Sequence, residues 1–134
     1  METTNKVRME GLTLAVLDVR RSVGFYEKLG FKLEWDAIPD FAMLRIGGPK
    51  GGTIGVLCWE EAEKEGALQM NVFHARSVYV ELSTDNLDAL HDELVAREVD
   101  IYIPPHEGPW GRAMIVIDPD GYTVKFAEGR RGAK

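Results

Sequence analysis

The sequence predicts an α+β fold made of two β-α-β-β-β modules, and three observations carry that expectation. Short apolar stretches with period-two alternation recur along the chain, and in each half the first of them runs into a stretch with helical periodicity. The order of elements is the same in both halves, and a repeat constrains topology more tightly than any single element does. The last two stretches are joined by Asp118-Pro119-Asp120-Gly121, with Asp first, Pro second and Gly fourth, the favoured positions of a type I turn.

Taken in order, "LTLAVLDV" (12–19) reads as a strand entering a helix. Asp18 can cap that helix, Val19, Val23, Tyr26 and Leu29 recur on one face of it, and Gly30 ends it. Three strand candidates follow, "FKLEW" (31–35), "FAMLRIG" (41–47) and "TIGVLCW" (53–59), separated by Pro39-Asp40 and by the turn-rich "GGPKGG". A Glu/Lys-rich stretch (60–66) and a connector (67–77) without clear periodicity separate the halves. The second half opens with strand "VYVELST" (78–84) and a helix capped by Asp85 or Asn86, with Leu87, Leu90, Leu94 and Val95 as its apolar stripe. Strand "VDIYI" (99–103), a long loop "PPHEGPWG" (104–111) and the hairpin of "RAMIVI" (112–117) with "YTVKF" (122–126) complete it. The expected organisation is one domain over 1–134, with module 1 at about 10–60, a connector at 61–77 and module 2 at about 78–128. Superposing the halves lays Gly11, Thr13 and Ala15 on Tyr79, Glu81 and Ser83.

With 134 residues, 45% hydrophobic and 28% charged, the chain is long enough to bury roughly two thirds of its unfolded surface. No apolar run approaches the roughly 20 residues of a membrane helix, and the N-terminus lacks the apolar core of a secretory signal, so no membrane partner and a cytoplasmic location are expected. Cys58 is the only cysteine, which rules out an internal disulfide. A net charge of -6 and a pI near 5.1 argue against nucleic acid as partner, since phosphate binding needs clustered Lys and Arg. By its long-range field the chain suits a neutral or cationic ligand better, although the same charge serves solubility alone.

Two such modules, with "RSVGFYEKLGF" (21–31) after the first strand and "DPDGYTVKF" (118–126) at the end, resemble the glyoxalase, bleomycin-resistance and extradiol dioxygenase proteins from about residue 10 to 128. These form the vicinal oxygen chelate (VOC) superfamily. The resemblance implies that each module curls its sheet into a half-barrel with the site on the concave face. It also implies a divalent metal held at four positions, which correspond here to Gly11 and Tyr79 in the first strands, to Leu57 (alternatively Gly55) and to Lys125 in the last ones. A divalent ion needs His, Glu, Asp or Cys, and a protonated ammonium cannot ligate it. The expectation is therefore no metal and no cofactor, and a homodimer that binds a small organic molecule, an antibiotic among the candidates. The alternative is a metal-dependent lyase, isomerase or dioxygenase with non-standard ligands, or a metal-free acid-base catalyst using Glu81.

The residues expected to bind ligand are Tyr79, Glu81, Trp110 and Lys125. Each has a plainer reading. Glu81 and Lys125 can form a salt bridge that replaces the metal, or both can face solvent. Trp110 can stack on a flat ligand or pin its own loop. Trp59 and Cys58 read as core residues, and His91 as a hydrogen-bonded helix residue. Phe41, Met43 and Arg45 alternate with Ala42, Leu44 and Ile46, and the sequence leaves open which set faces a pocket. His74 and His106, with Glu81, are the one conceivable two-histidine, one-carboxylate set.

Overall fold

The computed structural model describes residues 3–64 and 72–128, in the order β1 (Leu12–Val16), α1 (Val19–Lys28), β2 (Lys32–Ala37), β3 (Phe41–Ile46) and β4 (Gly52–Cys58), then α2 (Trp59–Lys64), α3 (Val72–Arg76), β5 (Tyr79–Thr84), α4 (Leu87–Ala96), β6 (Ile103–Gly108), β7 (Gly111–Ile117) and β8 (Thr123–Glu128). Residues 65–71, much of the expected connector, lie outside the described residues. The strands form two four-stranded sheets of identical connectivity, β1-β4-β3-β2 and β5-β8-β7-β6, each with one parallel pair (β1 with β4, β5 with β8) and two antiparallel ones. This is the repeated β-α-β-β-β arrangement that the order of elements predicts.

In the first module the Asp18 carboxylate accepts from the Arg21 amide and starts α1. Val19, Val23, Tyr26 and Leu29 are all buried against one face of the sheet, where Leu14, Val16, Ala42, Leu44, Ile54 and Val56 meet them. Each large side chain so buried contributes roughly 1.5–3 kcal/mol relative to exposure. Because side chains alternate along a strand, this leaves Thr13, Met43, Gly55 and Leu57 on the opposite face, turned away from the helix. The open question about β3 is thereby answered: Ala42 and Leu44 are core, and Phe41, Met43 and Arg45 face outward. Trp59, expected at the end of a strand, instead begins α2 and is only partly buried.

The second module follows the same logic, with two corrections, at Val95 and at β6. Of the two expected cap candidates, Asp85 and Asn86, it is Asn86 that caps α4 by accepting from the Ala89 amide. Leu87 and Leu94 of the stripe are fully buried and Leu90 partly so, but Val95 is 51% exposed, because an apolar face two residues wide suffices to cover this sheet. The larger correction is β6: the strand runs over Ile103–Gly108, where a loop is expected, and residues 99–102 precede it. Pro104 and Pro105 are tolerated because β6 is an edge strand, where an outward-facing missing N–H forfeits no ladder bond, and because an irregularity between Ile103 and His106 leaves both outside the paired register. "PPHEGPWG" is therefore a strand closed by a tight turn at Pro109-Trp110, with Gly108 paired to Gly111.

The two modules are joined by the turn that the sequence singles out. Its backbone closes with the Gly121 amide donating to the Asp118 carbonyl at 3.0 Å, while the Asp118 carboxylate accepts from the Asp120 and Tyr122 amides, both at 2.9 Å. The same carboxylate accepts from the Tyr26 hydroxyl of α1 at 2.7 Å. Asp120 accepts from the Leu17 amide, and the Tyr122 hydroxyl donates to the Ala15 carbonyl. Burial, with the adjacent Asp118 charge, holds the Tyr26 phenol far above its ordinary range, so it stays a donor. Burial likewise pushes Asp118 up and Tyr122 up to about 12.

Candidate functional site

The outward face of the second sheet carries a cavity of about 500 Å³. Three adjacent strands in register build its floor: Glu81 of β5 lies beside Lys125 of β8, which lies beside Ile115 of β7. Tyr79, Ala113 and Ala127 extend that floor, His106 enters from β6, and the Pro109-Trp110 turn overhangs one end. All four residues singled out from the sequence, Tyr79, Glu81, Trp110 and Lys125, line this one cavity. A second cavity of about 850 Å³ lies between β5, including Tyr79, Glu81 and Ser83, and Met43, Arg45 and Thr53 of the first sheet. Strand β5 thus borders both.

Trp110 is 84% exposed, so its ring is not used in packing the chain, and Tyr79, 48% exposed, keeps about half of its surface open. For Trp110 this removes the plainer reading of a pinned loop. His106 Nδ1 lies 3.0 Å from the Pro104 carbonyl oxygen; a carbonyl only accepts, so Nδ1 donates there and Nε2 is turned to other partners.

Electrostatically the cavity linings are nearly self-compensated. Arg45 is bound by both carboxylate oxygens of Glu34, at 2.6 and 2.8 Å, and the hydrogen bonds it donates hold Glu34 below the usual carboxylate range. Arg8 lies 3.7 Å from Glu10. Arg112 meets Asp88 through two hydrogen bonds, at 3.1 and 3.2 Å, with Glu128 at 3.5 Å and Glu107 at 3.8 Å. Lys125 differs: among the described residues it makes no ion pair. The Glu81–Lys125 salt bridge considered from sequence does not close, although the two residues are register partners. Glu81 sits on the edge strand β5 with its side chain exposed, whereas Lys125 sits on interior strand β8 and is half-buried.

The internal repeat identifies the matching place in the first sheet. Thr13 and Glu81 each lie five residues before their helix cap, Asp18 and Asn86. Thr13 pairs with Gly55, which pairs with Met43, as Glu81 pairs with Lys125 and Lys125 with Ile115. Gly55, not Leu57, is therefore the counterpart of Lys125. A Cβ at Gly55 would lie 2.9 Å from two carbons of the Phe41 ring and 3.0 Å from the Thr13 hydroxyl; at Gly11, where φ is +143, it would lie 2.7 Å from the Thr53 hydroxyl. Two of the four metal positions implied by the resemblance are thus glycines, which carry no ligand and where a side chain would have to displace Phe41 or Thr53, and the other two hold Tyr79 and Lys125. This donor set does not fit a divalent ion. Among the described residues no three His, Cys, Asp or Glu side chains come together as metal ligands. Glu81 and His106 share the cavity, but His74 on α3 does not line it, so the two-histidine set is not assembled there.

The Phe41 ring that covers Gly55 also meets Trp35, with centroids 5.6 Å apart and planes tilted by 53°. Trp35 is 57% exposed on the same face as Met43, its register partner. Sequence reasoning missed this aromatic pair because an irregularity between Leu33 and Trp35 breaks the alternation of β2. The available signal was a strand glycine near an aromatic, a pairing in which the ring covers the backbone that glycine leaves bare.

Duplicated β-α-β-β-β modules with this site on the outward sheet face define a class, and the sequence agrees with it: residues 8–126 match the Glyoxalase/Bleomycin resistance protein/Dioxygenase superfamily. The chain belongs to that superfamily. Among solved structures it is similar to a protein of unknown function from Agrobacterium tumefaciens str. C58, at 22% identity over 94% of this chain and 97% of that one, with a TM-score of 0.75. It is also similar to a glyoxalase/bleomycin resistance protein/dioxygenase from Nocardioides, at 24% identity over 98% and 91% of the two chains, with a TM-score of 0.73. TnmS3, an antibiotic binding protein from Streptomyces sp. CB03234, is similar at 24% identity over 90% and 95%, with a TM-score of 0.68. At these identities the likeness shows the fold. No curated protein matches the sequence. Among the described residues no helix is long and apolar enough to cross a membrane.

Proposed function

We propose that this chain is a metal-independent binding protein for a small organic molecule, held in the cavity lined by Tyr79, Glu81, Trp110 and Lys125. One observation carries the reading: the family's metal positions in this chain are filled by two glycines, which offer no ligand, a tyrosine and a lysine, while the sheet face around them keeps an open, aromatic-rimmed cavity. Aromatic rings left exposed beside a floor that is apolar at Ala113, Ile115 and Ala127 bind flat ligands through burial and stacking. An antibiotic is the first ligand class to test, since a structural relative, TnmS3, is described as an antibiotic binding protein. The chain acts as a cytoplasmic homodimer in this reading, with its 134 residues forming one domain; exposed Trp35, Tyr79 and Trp110 are suited to burial when ligand or a second subunit covers them.

Titration of intrinsic tryptophan fluorescence with a panel of aromatic and cationic antibiotics, bleomycin included, tests the reading. Saturable quenching or a spectral shift that is lost in Trp110→Ala supports it, and no response across the panel refutes the antibiotic version. Elemental analysis of protein purified without chelator tests metal independence, and stoichiometric Ni, Zn, Fe or Mn would overturn it in favour of a metal-dependent lyase, isomerase or dioxygenase.

A further inference from the structure

We infer that the ligand of this cavity is a flat aromatic molecule bearing an ionised acidic group, a carboxylate or an ionised ring hydroxyl, and that Lys125 binds that group; the inference rests on the small-molecule reading above. Lys125 is half-buried as a residue, and an ammonium at the edge of an apolar surface is best held by a counter-charge that meets it. Lys125 stands on an interior strand beside Ile115, yet among the described residues it has no carboxylate partner. The other cations lining the two cavities, Arg8, Arg45 and Arg112, each have at least one. Acidic residues are not scarce in a chain with 22 of them against 16 Lys and Arg, so a lysine kept only for structure had ample opportunity to be paired. The counter-charge is therefore supplied from outside the chain.

The shape of the surroundings sets the rest of the ligand. Tyr79 and Trp110 offer exposed ring surface on the rim, Ala113, Ile115 and Ala127 make the floor apolar, and a planar frame carrying its charge at one edge fits both. His106, whose Nδ1 is engaged by the Pro104 carbonyl, leaves Nε2 as a polar contact for a ligand hydroxyl or amide. The net charge of -6 does not oppose this class, because fields from charges beyond about 8 Å are screened at physiological ionic strength and the nearest cation then governs. Glu81, the register partner of Lys125, is an opposing charge at the cavity; being exposed on an edge strand, it is better solvated than Lys125.

The inference is tested by calorimetric titration at pH 7.5 with three matched probes: 2-naphthoate, 2-naphthamide and 2-naphthylmethylammonium. The expected order is naphthoate tightest, by about tenfold over the amide, which is about 1.4 kcal/mol of binding free energy, and the ammonium probe weakest. Lys125→Met should bring naphthoate down to the affinity of the amide and leave the amide unchanged, the second reading showing that the variant remains folded. Glu81→Gln should tighten naphthoate. Equal affinity of the wild-type protein for naphthoate and naphthamide, or naphthoate binding unaffected by Lys125→Met, overturns the role of Lys125 while leaving a binding cavity in place. Failure of all three probes to bind the wild-type protein overturns the cavity reading itself, and the inference with it.

Discussion

Tyr26→Phe isolates one of the bonds that fasten the second module to the first. The substitution keeps the buried ring, with its edge-on contacts to Phe25 and Phe31, and removes only the hydroxyl that donates to Asp118 at 2.7 Å. Asp118 is 3% exposed, so water does not readily replace that donor. A hydrogen bond to a charged group is worth about 1.5–3 kcal/mol, and the two backbone amides that remain on Asp118 place the expected loss near the middle of that range, about 2 kcal/mol at pH 7.5. The pH dependence follows from the direction of the Asp118 shift. Burial raises its folded-state pKa above the unfolded value, so its contribution to stability is fully present below the unfolded pKa and is lost as pH rises through the folded one. The Tyr26 hydroxyl opposes that rise, so removing it moves Asp118 further up and steepens the loss. Urea denaturation of both proteins at pH 7.5 and pH 4 should show a penalty that shrinks at the lower pH, toward the roughly 1 kcal/mol of a neutral hydrogen bond. An equal penalty at both values, or one below about 0.5 kcal/mol at pH 7.5, would refute the assignment of Asp118 as a buried carboxylate held by Tyr26.

Other perturbations report on the two sheet faces. Gly55→Ala forces the Phe41 ring off a Cβ it would meet at 2.9 Å and should destabilise by about 1–3 kcal/mol in urea melts; an unchanged midpoint would mean that the ring is not held there. Gly55→Glu, which restores a carboxylate at the family's metal position, should destabilise further and bind no Zn²⁺ or Ni²⁺ by calorimetry; tight metal uptake would show the position to be open. Trp110→Ala should leave the melting temperature nearly unchanged, since the side chain is 84% exposed, and a drop of several degrees would return it to a packing role. The Asp88 carboxyl should titrate below the ordinary range by NMR because Arg112 donates to it, and Arg112→Gln should move it back up; an unmoved titration would show the pair absent in solution.

The legibility of this chain follows the range of the interactions involved. Helix α1 can be placed to within a residue because its signals are local: Asp18 as cap, four apolar residues on one face and Gly30 after its end. The turn at 118–121 is local in the same sense, its backbone closing between Asp118 and Gly121. Strand β6 was not legible, since two prolines argue against a strand unless its place on the edge is known, and edge position is a property of the sheet. Which face of β3 meets α1 was equally undetermined, because two sets of alternating apolar residues compete and only the docked helix decides between them.

At the candidate site, the sequence by itself determined which chemical groups are present: glycine, tyrosine and lysine where a metal site needs His, Glu, Asp or Cys. Alternation along β8 also put Lys125 opposite the core residues Val124 and Phe126. Tertiary structure decided the rest. The parallel register of β5 with β8 set Glu81 beside Lys125, and the difference between an edge and an interior strand left one solvated and the other half-buried without an ion pair among the described residues. The tight turn after β6 carried Trp110 to the same cavity, and the Phe41 ring occupied the space over Gly55. A sequence records side chains and their local periodicity, but the charges that meet and the space that remains depend on residues brought together from distant parts of the chain.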